Sequence, residues 1–231
     1  MKQKIMAAGV IASGILLQSL SAGEINVKKV NGKETVQVIA PAGSAVTPSV
    51  NNPNIKVEIV KSNNQAAYPA LKDDLINAGS PSLAKTTLKN FKQHARHAAV
   101  ALNDGSIKTI TFDLDGKWTT TFNLNTVKSP KGYDITEIIT SAAWAPNRAC
   151  QKYKLSVSKV SAPEKFISLG VFEVDAKRAL ATRIKLTGEK NPVEYNVAAL
   201  RFKFMVPKSV AGNATETAYR EIDVIGSASE K

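Results

Sequence analysis

Apolar and polar residues alternate with period two through most of this chain, and the alternation predicts strands. It is clearest from Tyr133 to Ser158. In the first half Ile135, Glu137, Ile139 and Ser141 share one face, and Thr136, Ile138 and Thr140 the other. In the second half Gln151, Tyr153, Leu155 and Val157 point one way, and Lys152, Lys154 and Ser156 the other. The two halves read as strands facing each other across a loop that carries Trp144, Pro146, Asn147 and Arg148. The same alternation predicts strands at Ile55–Val60, Ile107–Leu114, Trp118–Leu124, Phe166–Val174, Ala181–Leu186, Val197–Val206 and Ala218–Ile225. Turn signals separate them, among them Asn103-Asp104-Gly105, Asp115-Gly116, Ser129-Pro130-Lys131-Gly132, Ser161-Ala162-Pro163 and Gly212-Asn213. One stretch follows a different period. Leu71, Leu75 and Ile76 recur at helical spacing, with Leu83, Leu88 and Phe91 beyond Gly79-Ser80-Pro81, so residues 68–95 are the helical candidate.

Regularly spaced strands with a single helical segment near the start predict an all-β fold, an antiparallel two-sheet sandwich. Ahead of it, residues 24–40 read as a hairpin closed by Asn31-Gly32, and residues 41–54 as a linker of Ala, Gly, Ser, Pro and Asn. Lys2 and Lys4, the apolar run Met6–Leu17 and the small residues Ser19, Ser21, Ala22 and Gly23 have the form of a secretory signal. The run is shorter than the ~20 residues needed to span a bilayer. The predicted organisation is therefore a signal peptide at 1–22, a hairpin-like extension and linker at 23–54, a sandwich at 55–227 and a tail at 228–231. The product is exported, to the periplasm, the cell surface or the medium.

Composition changes this picture little. Of 231 residues, 43% are hydrophobic and 22% charged, as in globular proteins. The net charge of +12 is scattered rather than concentrated in a run. Such a surface attracts polyanions, or simply keeps the chain soluble. It lacks the interleaved aromatics that serve single-stranded nucleic acid, so no nucleic-acid partner is expected. Cys150 is the sole cysteine, which rules out an intrachain disulfide; it either stands partly exposed with Lys152 and Lys154 or fills space. His94 and His97 stand three apart with no Asp, Glu or Cys in the same stretch to complete a metal site. No nucleophile-elbow motif or phosphate-cradling glycine loop occurs, and the acids Asp113, Asp115, Asp134, Glu137, Glu173 and Asp175 fall mostly at turns or strand ends. The chain reads as a non-enzyme.

Asn103-Asp104-Gly105, Tyr133-Asp134-Ile135-Thr136, Trp144 through Arg148 to Gln151-Lys152-Tyr153, Ala199-Leu200-Arg201-Phe202, and Tyr219 through Glu221-Ile222-Asp223-Val224 to Gly226 occur in that order. Together they resemble the galactose-binding-like, discoidin-type jelly-roll domains of exported bacterial proteins, over residues 55–227. The resemblance implies a two-sheet jelly roll that binds sugar, lipid or protein through loops at one rim. It also implies a structural Ca2+ between an Asp of the early Asp-Gly turn and the Glu of the last strand, here Asp104 and Glu221. The Thr-x-Trp sequel usual after that turn is absent. Without calcium, Asp104 would make an Asx-turn and Glu221 would pair with Arg220 or Arg201.

The loop after the first central strand is the candidate ligand site. Trp144 offers a flat apolar face, and Asn147 and Arg148 offer donors to sugar hydroxyls. The competing role is structural and weighs slightly more: Trp144 plugs the sandwich end, and Arg148 ties the loop to a carbonyl or to Glu137. Trp118, inside a strand, is expected in the core. The sequence thus points to an exported binding module for carbohydrate or another envelope polymer. The alternative is a surface structural protein that binds another protein or an anionic polymer through its basic face.

Overall fold

The computed structural model describes residues 24–30, 33–39, 49–50, 52–71, 74–92, 99–112, 117–207 and 216–230. The signal segment, the Asn31-Gly32, Asp115-Gly116 and Gly212-Asn213 turns, and His94 and His97 lie outside them. The chain forms two compact units, Met1–Pro41 and Ala42–Lys231. The first holds one antiparallel hairpin, β1 (Glu24–Val30) against β2 (Lys33–Ile39), with Val30 opposite Lys33.

The second unit is an antiparallel sandwich with two layers. One layer runs β4 (Ile55–Ser62), β10 (Ala181–Gly188), β7 (Tyr133–Ala143), β12 (Tyr219–Ala228). The other runs β3 (Ser49–Val50), β9 (Ala162–Val174), β8 (Gln151–Lys159), β11 (Glu194–Phe204), β6 (Thr119–Leu124), β5 (Leu83–Lys89). They join at one corner, where the start of β11 pairs with Tyr133 and Ile135 of β7 before a register shift carries it across to β8. Asn196 sits at this shift with a φ of 52°. A bulge of this kind lets one strand serve two sheets.

β7 and β8 do not pair with each other. They lie in opposite layers and meet through side chains: the Thr140 hydroxyl bonds to Gln151 Oε1 at 2.8 Å and to the Tyr153 hydroxyl at 3.1 Å. The loop between them is thus a crossover from one sheet to the other. β8 keeps its predicted alternation, with Gln151, Tyr153, Leu155 and Val157 fully buried. β7 does not. Its register slips at Thr136, opposite the Ile225–Gly226 step, so Ile135 and Ile138 both point inward while Glu137 turns out to meet Lys185 at 2.9 Å. A bulge inserts one residue and so reverses side-chain parity beyond it.

Two predicted elements fail. Residues 68–95 contain no helix among those described. Turns occupy 74–79, and β5 follows. Leu75 and Ile76 owe their spacing to burial at an edge: the Leu75 amide donates to Val224 O at 2.8 Å, closing the free side of β12. Asp74 accepts the Ile76 amide as a local turn, and Gly79 takes a φ of +88°, so local hydrogen bonding displaces the helix. In β5, Thr86 and Thr87 suit a pleated strand and pair with Phe122 and Thr121. A short 3-10 helix does occur at Ala99–Leu102. Residues 107–112 make no strand either; they touch the sheet through one bridge, Thr111 to Tyr219, and the end of that predicted strand, Asp113 and Leu114, lies outside the described residues.

The core between the layers is strongly aromatic. Trp118 is buried, as expected, and stacks on Phe204 at 4.2 Å; Phe204 meets Tyr219 at 4.6 Å, and Tyr153 lies 5.5 Å from both Phe172 and Phe202. Each such pair contributes about 0.5–1.5 kcal/mol beyond burial alone. Gly226 lets β12 pass close to its neighbour: a Cβ there would lie 2.2 Å from Asp134 O and 3.1 Å from Leu75 Cδ1. Gly226→Ala should therefore destabilise the sandwich by about 1–3 kcal/mol, read as a lowered midpoint in urea. A midpoint equal to wild type would show that β12 can shift freely.

Candidate functional site

The crossover loop leaves β7 at Ala143 and turns back on itself, with the Arg148 and Ala149 amides both donating to Ala145 O at 2.8 and 3.0 Å. The Trp144 amide donates to Leu180 O at 3.1 Å, which fixes the start of the loop. Trp144 is 44% exposed and does not plug the sandwich. Phe112 is buried in a small cluster with Ile110 and Ala218 and meets Trp144 edge-on, with centroids 6.2 Å apart and planes at 82°. The Gln65 side-chain amide donates to Trp144 O. The Arg220 guanidinium lies 5.9 Å from the Trp144 ring centre and is anchored through bonds to Ala143 O and Ile107 O, both 2.8 Å.

Arg148 is placed nearby, with Cζ 5.1 Å from the Phe112 ring centre, and pairs with Glu216 at 3.2 Å. It does not reach Glu137. Asn147 is exposed on the same loop. The structure thus brings Trp144, Asn147 and Arg148 to one rim and adds Phe112, Arg220, Gln65 and Glu216. Sequence reading missed these four because they join the rim from three distant segments. The one available signal was Arg220, adjacent to Tyr219 in the last strand.

The Asp104 turn lies on the outer side of β12, close to this rim. Glu221 is fully buried and accepts the amides of Gly105 at 3.4 Å and Ser106 at 3.2 Å. Asp104 accepts the Ser106 amide at 2.9 Å, the expected Asx-turn, and the Thr109 hydroxyl at 2.7 Å. That hydroxyl also lies 3.1 Å from Ser106 O. Glu221 pairs with neither Arg220, whose bonds go to carbonyls, nor Arg201, which lies in the other layer over Phe166. Burial pushes the Glu221 carboxyl up to about 9, and neighbouring Asp223 and Asp104 add to the shift.

Asp104 and Glu221 both accept the Ser106 amide, and the Thr109 hydroxyl lies beside Asp104 and Ser106 O, all oxygen atoms of the kind a hard cation takes. Thr109 is the member that sequence reading did not single out. Among the described residues no group of three or more His, Cys, Asp or Glu is arranged to hold a metal, so any such site relies on neutral oxygens beside Asp104 and Glu221.

Other candidate chemistry is absorbed by the fold. Asp134 accepts from Asn196 and Ser229, Glu137 pairs with Lys185, Glu173 with Lys152, and Asp175 accepts the Lys177 amide. Cys150 is buried with Ala149 and Ala176 and fills space there. No helix among the described residues is long and apolar enough to cross a membrane.

No family model and no curated protein matches the sequence. Several solved structures are similar in strand arrangement. A pectin-binding carbohydrate-binding module has 14% identity and a TM-score of 0.40, over 62% of this chain and 89% of that one. The family 32 carbohydrate-binding module from Streptococcus pneumoniae EndoD has 9% identity and a TM-score of 0.45, over 66% and 98%. The family 32 module from C. perfringens NanJ, solved with galactose, has 14% identity and a TM-score of 0.39, over 60% and 92%.

Asp74 and Asp223 form a second buried acidic pair beside the Asp104 turn. Asp223 accepts the Leu71 amide at 2.9 Å, and burial, with Asp74 adding, raises its carboxyl to about 7. Burial also raises Asp74, whose Oδ2 has no hydrogen-bond partner among the described residues. A carboxyl raised by folding contributes stability in full below its unfolded value of about 3.9. That contribution is lost as pH rises through the folded value. Asp74→Asn keeps an oxygen for the Ile76 amide and removes the charge. It should be more stable than wild type at pH 7, with the advantage shrinking towards pH 3. Urea midpoints of both proteins at the two pH values check this; a constant difference would contradict it.

Proposed function

We propose that the chain is an exported, non-catalytic binding module that takes carbohydrate on the Trp144 rim. The supporting observation is the half-exposed indole, held edge-on by buried Phe112 and flanked by the Arg220 guanidinium. An aromatic face fixed in this way can stack on the apolar face of a sugar ring with little loss of side-chain freedom. Asn147 and the part-exposed Arg148 stand on the same loop and supply hydrogen-bond donors to ring hydroxyls. The similar solved structures named above include modules described as binding pectin or holding galactose, which agrees with a saccharide ligand. Export rests on the character of residues 1–22.

Calcium belongs to the same proposal. Asp104 and Glu221 would hold it, with the Thr109 hydroxyl and Ser106 carbonyl beside them. Its charge would offset the crowded carboxylates. The turn carries its own consequence for the rim: Ile107 O, just beyond Ser106, anchors Arg220 beside Trp144. Fixing the turn on β12 therefore fixes one wall of the sugar site.

Two measurements test these statements. In affinity electrophoresis against a panel of neutral and acidic polysaccharides, Trp144→Ala should weaken binding about 10-fold or more while circular dichroism stays unchanged. No binding to any polymer, or equal binding by the variant, would sink the carbohydrate reading. Separately, saturating Ca2+ should raise the thermal midpoint, by an amount equivalent to about 2.7 kcal/mol at 100-fold excess over Kd. Glu221→Gln should abolish the increment. A midpoint indifferent to both Ca2+ and EDTA would remove calcium from the account.

A further inference from the structure

The two outer faces of the sandwich differ in charge. On the β4–β10–β7 face, acids and bases alternate and pair: Lys185 with Glu137 at 2.9 Å, Arg183 with Glu58 at 3.6 Å. On the opposite layer the strands β5, β6, β11 and β8 lie side by side, and their paired positions can be read in rows. One row is Lys89, Thr119, Lys203, Lys154; the next is Thr87, Thr121, Arg201, Ser156; the third is Lys85, Asn123, Ala199, Ser158. Directly paired residues share a face, and the neighbours Thr120, Phe122, Leu200, Phe202 and Leu155 face the core, so these rows lie on the opposite side of the layer, where Thr121, Ser156, Ser158 and Ala199 are themselves buried. Lys85, Lys89, Lys154 and Lys203 are exposed. None makes an ion pair among the described residues. Glu173, on β9, is engaged with Lys152 at 3.0 Å.

Lys203 stands directly opposite Lys154. Like charges in that position destabilise a sheet. Strand spacing of about 4.8 Å puts Lys89 and Lys154 at the ends of a row roughly 14 Å long. Between the cations the part-exposed Thr87, Thr119 and Asn123 offer hydroxyl and amide groups. Such a surface fits an extended chain that carries repeated negative charge and many hydroxyls. We propose that this outer face binds an acidic polysaccharide, lysines meeting its carboxylates and the Thr and Asn side chains its hydroxyls. Two other polyanions fit less well. The aromatic residue of the face, Phe166, is covered by Arg201 with Cζ 3.4 Å from the ring centre, so it offers no platform for a nucleic-acid base. The exposed large apolar residues Leu88 and Ile167 pair with the core-facing Thr120 and Val157, so the outer face lacks an apolar anchor for a membrane.

This proposal is independent of the Trp144 rim, which lies at the end of the other layer. The test measures binding of the full chain to polygalacturonate, to a neutral galactan, to single-stranded DNA and to phosphatidylglycerol vesicles, at low and physiological salt. The probe protein is the triple variant Lys89→Gln, Lys154→Gln, Lys203→Gln. Its control, with equal loss of charge elsewhere, is Lys56→Gln, Lys177→Gln, Lys190→Gln. Polygalacturonate binding should weaken steeply with salt, fall about 10-fold or more in the probe variant, and survive in the control. Equal losses in both triples would mean that net charge alone acts and would overturn the proposal. So would an unaffected probe variant, absence of polygalacturonate binding, or DNA or vesicles bound more tightly through the same lysines. Failure of the rim reading would show separately, as loss of no galactan binding in Trp144→Ala.

Discussion

The last strand, β12, is covered on both faces and along its outer edge, and the rest of the molecule is arranged to keep it so. Its inner side gives Tyr219, Ile222 and Val224 to the core. Its other side carries Glu221 and Asp223, both buried. Its edge would expose unpaired backbone groups, a known liability of open sheets. The Leu75 and Thr111 amides close it by donating to Val224 O and Tyr219 O, both at 2.8 Å. Two irregular segments, residues 74–78 and 103–112, therefore exist as covers for one strand. Burying two carboxylates beneath them costs stability, which amide donors and a neighbouring cation can offset.

The rim inherits its geometry from this arrangement. A register shift after Tyr219 makes Arg220 the extra residue between the pairs Tyr219–Ala142 and Glu221–Ser141. The bulge directs Arg220 towards Ala143 O and Ile107 O, beside Trp144, and leaves Glu221 facing the Asp104 turn. One irregularity thus separates a cation for the rim from an anion for the turn, although the two residues are adjacent in sequence. Phe112, just past the Thr111 bridge, reaches the rim from the same covering segment.

Much of this was legible from residue patterns. β6, β8, β9, β10, β11 and β12 fall where alternation placed them, because a strand with one face on the core must alternate. Trp118 and the inward side of β8 were readable for the same reason. Parity in β7 was not, since a bulge at Thr136 depends on how β12 aligns and leaves no mark in β7 itself. The helical spacing of Leu71, Leu75 and Ile76 misled because only Leu75 and Ile76 are buried, as an edge cover, while Leu71 is exposed. Asp104 and Glu221 were expected as a pair about a cation, and in the structure both accept the Ser106 amide. Phe112 and Gln65 carried no local signal.

What the sequence determined by itself was most of the strands, the inward face of β8 and the loop that carries Trp144, Asn147 and Arg148. These follow from burial period and turn chemistry, which act over a few residues. Tertiary structure alone decided that β7 and β8 oppose each other across the core rather than pair, and that Trp144 stays half exposed, edge-on to the buried Phe112. It also decided that five bases on three strands share a face without a carboxylate partner among the described residues. Each of these depends on which strand lies beside which, and that is fixed by contacts between segments far apart in the chain, where no local pattern reaches.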